Sequence, residues 1–115
     1  MGVQTFLTAY IKTALWSSTD NSGEPLDKNH DESDLTYKHR QKMEADCFKF
    51  YSENHYKWDD DGQAGHDFWL TRNHHGAGFW DRGKGAAGRR LTTAALQYKE
   101  LCPVVGDDGK IYFEG

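Results

Sequence analysis

The spacing of hydrophobic residues predicts two amphipathic helices in the N-terminal half of the chain. Between residues 3 and 16, apolar residues recur every three or four positions and form one wide face. A second helix is predicted from about Thr36 to Asn54, since its apolar residues also follow helical intervals; they are Met43, Cys47, Phe50 and Tyr51. The connecting stretch SSTDNSGEPLDKNHDESD contains turn formers and almost nothing to bury, so we expect an exposed loop there.

The period of the pattern changes in the central stretch GHDFWLTRNHHGAGFWDRG. Two aromatic pairs, Phe68-Trp69 and Phe79-Trp80, stand on either side of a His-His-Gly turn, and the flanking residues alternate as they do in a strand. We predict a hairpin with one strand over about 66–72, a turn over 73–77 and a returning strand over 78–82. The aromatic pairs would then be cross-strand partners.

The C-terminal third of the chain predicts one more helix and a further strand or hairpin. The helix should span about 89–100, because Pro103 cannot extend it. Asp108-Gly109 lies between β-branched and aromatic residues, which is typical of a hairpin turn. The predicted fold is an α+β domain of order ααββαβ(β), in which helices cover one face of an antiparallel sheet built from the two hairpins.

The composition indicates a single globular domain over residues 1–115. Hydrophobic residues make up 37% of the chain and charged residues 28%, and no apolar run approaches the length of a membrane span. The N-terminal stretch is amphipathic rather than a signal peptide, so a cytoplasmic location is expected. A net charge of −4 argues against a long surface that follows nucleic-acid phosphates.

Two cysteines, Cys47 and Cys102, are too few for a disulfide framework and lack the spacing of metal ligands. We expect two reduced thiols, both at least partly buried, because Cys47 lies on the apolar stripe of the second helix and Cys102 follows the third. A single disulfide bridge is the alternative.

Acidic residues are concentrated between the first two predicted helices; they are Asp20, Glu24, Asp27, Asp31, Glu32 and Asp34. Their order differs from that of a calcium-binding EF-hand loop. Such runs are usually solvated faces, and the alternative is an acidic surface that binds a basic partner.

Histidine and aspartate side chains are grouped in the central stretch; they are His66, Asp67, His74, His75 and Asp81. Ordinary turn and strand residues are the favoured interpretation, since neighbouring strand residues point to opposite faces and no metal-type spacing is present. We therefore expect no metal and no cofactor. An acid/base site built from His66, Asp67, His75 and Asp81 is the alternative.

Several segments of the chain together resemble a family of small proteins encoded by bacteriophages. The segments are YIKTALWSSTD, EPLD, MEADCFKF, AGHDFWLTRNHHGAGFWDRG and VVGDDGKIY, and they extend from about Tyr10 to Tyr112. The family's form of the turn has Gly where His74 stands here, which argues against an essential role for His74. The resemblance implies a phage origin and, by analogy with other small phage proteins, an action on host defence systems in the host cytoplasm.

The resemblance and the acidic and aromatic residues together favour a non-enzymatic phage protein that binds and inhibits a host protein or ribonucleoprotein complex, such as a CRISPR or restriction nuclease. Its expected contact residues are Asp20, Glu24, Asp27, Asp31, Glu32, Asp34, Trp69, Arg72, His75, Trp80 and Arg82. One alternative is a small hydrolase or nuclease centred on the His/Asp group. Another is a nucleic-acid-binding module that uses a stacking Trp with Arg72, Arg82, Arg89 and Arg90.

Overall fold

The computed structural model describes residues 2–20, 22–74, 78–79 and 85–114. Five α-helices and one antiparallel hairpin lie within these residues: α1 Val3–Ser17, α2 Leu26–Asn29, α3 Tyr37–Asn54, α4 Asp61–Arg72, α5 Ala86–Leu96, β1 Cys102–Val105 and β2 Ile111–Glu114. Short 3-10 helices at Glu32–Asp34 and His55–Lys57 precede and follow α3. The fold class is α+β, as predicted.

The predicted central hairpin is wrong, because its first strand is helix α4. Asp60 caps this helix by accepting a hydrogen bond from the backbone N–H of Gln63 at 3.0 Å. Every residue from Asp67 to Asn73 is buried, including the polar ones. The stretch therefore has no exposed polar face opposite an apolar one, and the helical period of 3.6 residues is not visible in its sequence. Gly78 and Phe79 lie outside any strand, and the rest of the predicted turn and returning strand falls outside the described residues.

The predictions for α1, α3 and the C-terminal hairpin are confirmed. Thr36 caps α3 by accepting from the backbone N–H of His39. The hairpin turns at Asp108-Gly109, where Gly109 has a φ of 78°, and Val105 pairs with Ile111. Helix α5 begins and ends a few residues earlier than the predicted 89–100.

The stretch between α1 and α3 is more ordered than predicted. Leu26 is fully buried and begins the short helix α2, and Leu35 is also buried just before α3. An isolated bridge pairs Thr19 with Pro25, which closes the first part of the stretch into a compact loop. Within residues 17–34, Leu26 is the only described residue that is buried, so the stretch has little to bury, as expected, but its short helices make it more ordered than a loop.

The core is built largely from aromatic rings contributed by different helices. Phe50 of α3 stacks on Phe68 of α4 with ring centroids 4.1 Å apart, and Phe6 of α1 packs against both rings. Trp69 is also buried, and its indole N–H donates to the Ser17 hydroxyl at 2.9 Å. The rings therefore join α1, α3 and α4 into one core.

The two thiols are free, and they differ in exposure. Cys47 lies in the core, where burial raises the pKa of its thiol and keeps it protonated. Cys102 is exposed, which corrects the expectation that both thiols are at least partly buried. Cys102 opens strand β1 rather than ending a helix, and its neighbour Pro103 takes the buried side of that strand.

Among the described residues, no helix combines the length and the apolar composition needed to cross a membrane.

Helices α1 and α4 approach each other closely at Gly65. A Cβ atom at this position would lie 2.1 Å from the carbonyl oxygen of Phe6. Because backbone atoms on α1 cannot move aside without shifting the helix, we predict that Gly65→Ala lowers the free energy of unfolding by about 3 kcal/mol. Chemical denaturation measures the change.

Gly62→Ala on the same helix is the matched control, since its Cβ would meet its nearest neighbour at 3.4 Å. We expect this variant to match the wild type or to gain up to about 1 kcal/mol from helix propensity. Equal stability of the two variants would contradict the proposed packing.

Candidate functional site

The acidic segment, residues 20–34, uses several of its own carboxylates to hold its backbone. Asp20 accepts hydrogen bonds from the backbone N–H groups of Ser22 and Glu24, at 2.8 and 3.0 Å. This local bonding of an aspartate to the following backbone is typical of a tight turn. Asp20 therefore serves the shape of the segment.

Asp31 and Asp34 form a capping box around the 3-10 helix Glu32–Asp34. Asp31 accepts from the backbone N–H of Ser33 at 2.9 Å, and Asp34 accepts from the backbone N–H of Asp31 at 3.1 Å. Two hydrogen bonds from Ser33 lower the pKa of Asp31. The hydroxyl of Ser33 has the larger effect and its backbone N–H the smaller one. Asp34 also lies 3.2 Å from His30.

The remaining carboxylates of the acidic segment have partners on its surface or face solvent. Glu24 pairs with Lys28, and Glu32 pairs with Arg40 at 3.2 Å. Within the described ranges no basic side chain pairs with Asp27, which is exposed. The segment is an ordered ridge with exposed carboxylates, and Tyr37, with 77% of its surface exposed, follows it at the start of α3.

Arg72 and Trp69 were expected to lie on a contact surface, but each is 1% exposed and belongs to the core. The Arg72 guanidinium donates to the Tyr10 hydroxyl at 3.0 Å and to the Asp46 carboxylate at 2.9 Å. It also donates twice to the backbone carbonyl of Lys99, at 3.0 and 2.6 Å. We refer to these four residues, Arg72, Tyr10, Asp46 and Lys99, as the arginine cluster.

Rings and charges reinforce the arginine cluster. The guanidinium lies 5.6 Å from the centroid of the Phe68 ring and 5.3 Å from that of Tyr98. Burial raises the pKa of Tyr10, although the nearby Arg72 opposes this shift. Burial by itself would lower the pKa of Arg72. Interactions with Tyr10 and Asp46 outweigh the effect of burial and raise this pKa, so the guanidinium remains charged.

His66 and Asp67 are in contact, as an acid/base site would require. Nδ1 of His66 lies 3.1 Å from Oδ1 of Asp67, whose side chain is almost completely buried. The exposed ring of Trp16 stacks on the imidazole with centroids 5.8 Å apart. A buried carboxylate at Nδ1 is an arrangement that orients an imidazole and leaves Nε2 available for proton transfer.

The other predicted site residues of the central stretch, His75, Trp80, Asp81 and Arg82, lie outside the described residues. A site that joins His75 and Asp81 to His66 and Asp67 therefore stays a prediction. In the described part of the chain, no three His, Cys, Asp or Glu side chains are grouped as metal ligands.

The arginines predicted to bind nucleic acid are divided between core and surface. Arg89 and Arg90 are exposed on α5, whereas Arg72 and the stacking candidate Trp69 are buried. These four residues therefore do not form one exposed face. His74 is exposed and has a φ of 60°, a left-handed conformation that glycine adopts without strain.

Sequence reasoning missed Tyr10, Asp46 and Tyr98, which surround Arg72. Arg72 is a charged residue at the end of an apolar run, and Asp46 precedes the buried Cys47 on the apolar side of α3. A buried charge needs a partner of opposite sign. The positions of Arg72 and Asp46 beside apolar residues in the sequence were therefore the signal that could have predicted this ion pair.

Comparisons of this chain with protein-family models, with curated proteins and with solved structures found no match.

The arginine cluster predicts a large effect for Arg72→Met. Removing the guanidinium leaves the Lys99 carbonyl and the Tyr10 hydroxyl without their donor and removes the main partner of Asp46. We expect the free energy of unfolding to fall by about 3 to 5 kcal/mol, measured by chemical denaturation.

Arg89→Met is the control, because Arg89 is exposed on α5, and its effect should stay within about 0.5 kcal/mol. Adding Asp46→Leu to Arg72→Met should recover part of the loss, since it removes a buried carboxylate whose remaining ion-pair partner in the described residues is the exposed Lys42. A loss below about 1 kcal/mol for Arg72→Met would show that the cluster does not hold the helices together.

Proposed function

We propose that this chain is a phage-encoded, non-enzymatic binding protein that inhibits a host defence nuclease complex of the CRISPR or restriction type. The phage origin rests on the resemblance of the segments quoted above, most of all AGHDFWLTRNHHGAGFWDRG. The mode of action rests on the acidic segment, which would occupy a basic nucleic-acid-binding surface of the partner.

The observation on which the proposal depends is the internal order of the acidic segment. Asp20, Asp31 and Asp34 fix the backbone through hydrogen bonds, and Leu26 anchors it in the core. A segment that is already ordered loses less conformational entropy when a partner binds. The exposed carboxylates can therefore meet a basic surface at a low entropic cost.

Charge and exposure support the same surface. The segment contains six carboxylates and one lysine in a chain of net charge −4, so its field attracts a positively charged partner and accelerates encounter. The neighbouring Tyr37 is exposed and can serve as an aromatic anchor. We assign the direct contacts to Asp27, Asp31, Glu32 and Tyr37, while Asp20 and Asp34 shape the segment.

A second candidate function is hydrolysis, which the contact between His66 and Asp67 favours. Asp67 is 1% exposed and would orient the imidazole, and His66 is partly exposed and would act as a general base. On this alternative, His75 and Asp81 would complete the site, and the acidic segment would have no role in the reaction.

The binding proposal predicts that Asp27→Asn combined with Glu32→Gln weakens inhibition without unfolding the chain. The measurement is DNA cleavage by purified CRISPR effector complexes and restriction endonucleases, with increasing amounts of the chain at low and physiological salt. We expect wild type to inhibit at least one complex and the double variant to need roughly 10-fold more protein. The melting temperature should change little, because exposed charges contribute at most about 1 kcal/mol.

The matched control is Glu100→Gln combined with Asp107→Asn, which removes two exposed charges elsewhere on the chain. This variant should inhibit as well as the wild type does. If the two double variants lose inhibition equally, net charge is responsible and the acidic segment is not the contact surface. If the wild type inhibits none of these nucleases, the proposed target class is wrong.

The hydrolase alternative predicts that His66→Gln lowers hydrolysis of bis(p-nitrophenyl) phosphate or of DNA by roughly 100-fold or more. His55→Gln, a substitution of an exposed histidine on another turn, should leave the rate unchanged. The binding proposal predicts instead that wild type and both variants show only the background rate. A rate that exceeds background and falls in His66→Gln alone would favour the enzyme.

A further inference from the structure

An open groove of about 710 Å³ lies between α3 and the C-terminal end of α5. Four cationic side chains and two carboxylates line it together with neutral residues; the charged ones are Lys42, Lys49, Arg72, Lys99, Asp46 and Glu53. The groove is therefore positive in a chain whose net charge is −4. Its volume suits a small molecule.

The cations of the groove differ in how far the protein itself neutralises them. Lys42 lies 3.2 Å from Asp46, and Asp46 also pairs with Arg72. Neither Lys49 nor Lys99 forms an ion pair with any residue in the described part of the chain. These two exposed ammonium groups are therefore available to an anion.

Tyr98 also lines this groove, and its hydroxyl has no hydrogen-bond partner among the described residues. Its oxygen is shielded from solvent and forms no hydrogen bond with any described residue. The ring is held edge-on against Phe50 and Phe68, with centroids 5.9 and 5.0 Å away, so the hydroxyl is fixed in position. A buried hydroxyl without a partner costs free energy, which an incoming acceptor would recover.

The hydroxyl keeps its proton at neutral pH and can therefore donate. Burial, together with the negative charges of Glu53 and Asp46, raises the pKa of Tyr98 to about 12. An anion can accept a hydrogen bond from the protonated hydroxyl and can pair with Lys49 and Lys99. A cationic ligand would be repelled by both lysines.

We propose that this groove is a phosphate-binding site, in which Lys49 and Lys99 pair with a phosphate group and the Tyr98 hydroxyl donates a hydrogen bond to it. A phosphate monoester carries nearly two negative charges and three acceptor oxygens, which matches two cations and one donor. The side chains of Lys49 and Glu53 line the groove and are exposed, and no ion pair with a described residue restrains either of them. This site is independent of the acidic segment and of the proposed inhibition.

The test uses the full ¹⁵N-labelled chain, titrated separately with inorganic phosphate, adenosine monophosphate, adenosine and a short single-stranded oligothymidylate. We expect saturable shifts of the Lys49, Tyr98 and Lys99 amide resonances with phosphate and with the nucleotide, and none with adenosine. If the oligothymidylate binds at the same residues about 10-fold more tightly than the nucleotide, the phosphate source is a nucleic-acid backbone. If it does not, the source is a small phosphorylated molecule.

Variants separate the site from a general charge effect. Lys49→Gln combined with Lys99→Gln should weaken nucleotide binding roughly 10-fold or more, and Tyr98→Phe should weaken it by a similar factor. Tyr98→Phe should keep or raise the wild-type melting temperature, since it removes a buried hydroxyl that has no partner in the described part of the chain. Lys12→Gln, on the exposed side of α1, should bind as the wild type does.

Three results would overturn the proposal. The first is an absence of saturable shifts at these residues with phosphate and with the nucleotide. The second is equal shifts with adenosine, which would show that the base rather than the phosphate is bound. The third is an equal loss of affinity in Lys12→Gln and in the lysine double variant.

Discussion

The arrangement of the helices depends on one buried charge, the guanidinium of Arg72. It donates hydrogen bonds to Tyr10 on α1, to Asp46 on α3 and to the backbone of Lys99 after α5, and Arg72 itself ends α4. An ionised group in the interior is tolerated only when its donors are satisfied and its charge is paired. These four parts of the chain must therefore meet at one point, and the aromatic rings pack around it.

Because Arg72 and Trp69 are buried, the candidate functional features of the chain are those around the core. They are the negatively charged acidic segment, the contact between His66 and Asp67, and the positively charged groove beside Tyr98. The segment and the groove have opposite signs, so the two proposed ligands would be attracted to different surfaces. A protein ligand with a basic surface and a phosphate-bearing ligand are therefore compatible with one small domain.

The acidic segment shows why a count of charges does not describe a surface. Of its six carboxylates, Asp20, Asp31 and Asp34 accept hydrogen bonds from backbone N–H groups, which orders the segment around the buried Leu26. Substituting all the acids together would remove turn and capping bonds as well as charge. Asp27 and Glu32 are exposed and accept no hydrogen bond from the backbone of a described residue, so substituting them removes charge and the surface ion pair between Glu32 and Arg40 but leaves the turn and capping bonds in place.

The sequence by itself determined α1, α3 and the C-terminal hairpin, because their signals are local: apolar residues at helical intervals in the two helices and the Asp108-Gly109 turn in the hairpin. Only the tertiary structure decided that residues 61–72 are helical. Neighbours bury every residue from Asp67 to Arg72, and this burial removes the periodicity that separates a helix from a strand. The surroundings of Arg72 were equally beyond local reasoning, because its partners lie 26, 27 and 62 residues away along the chain.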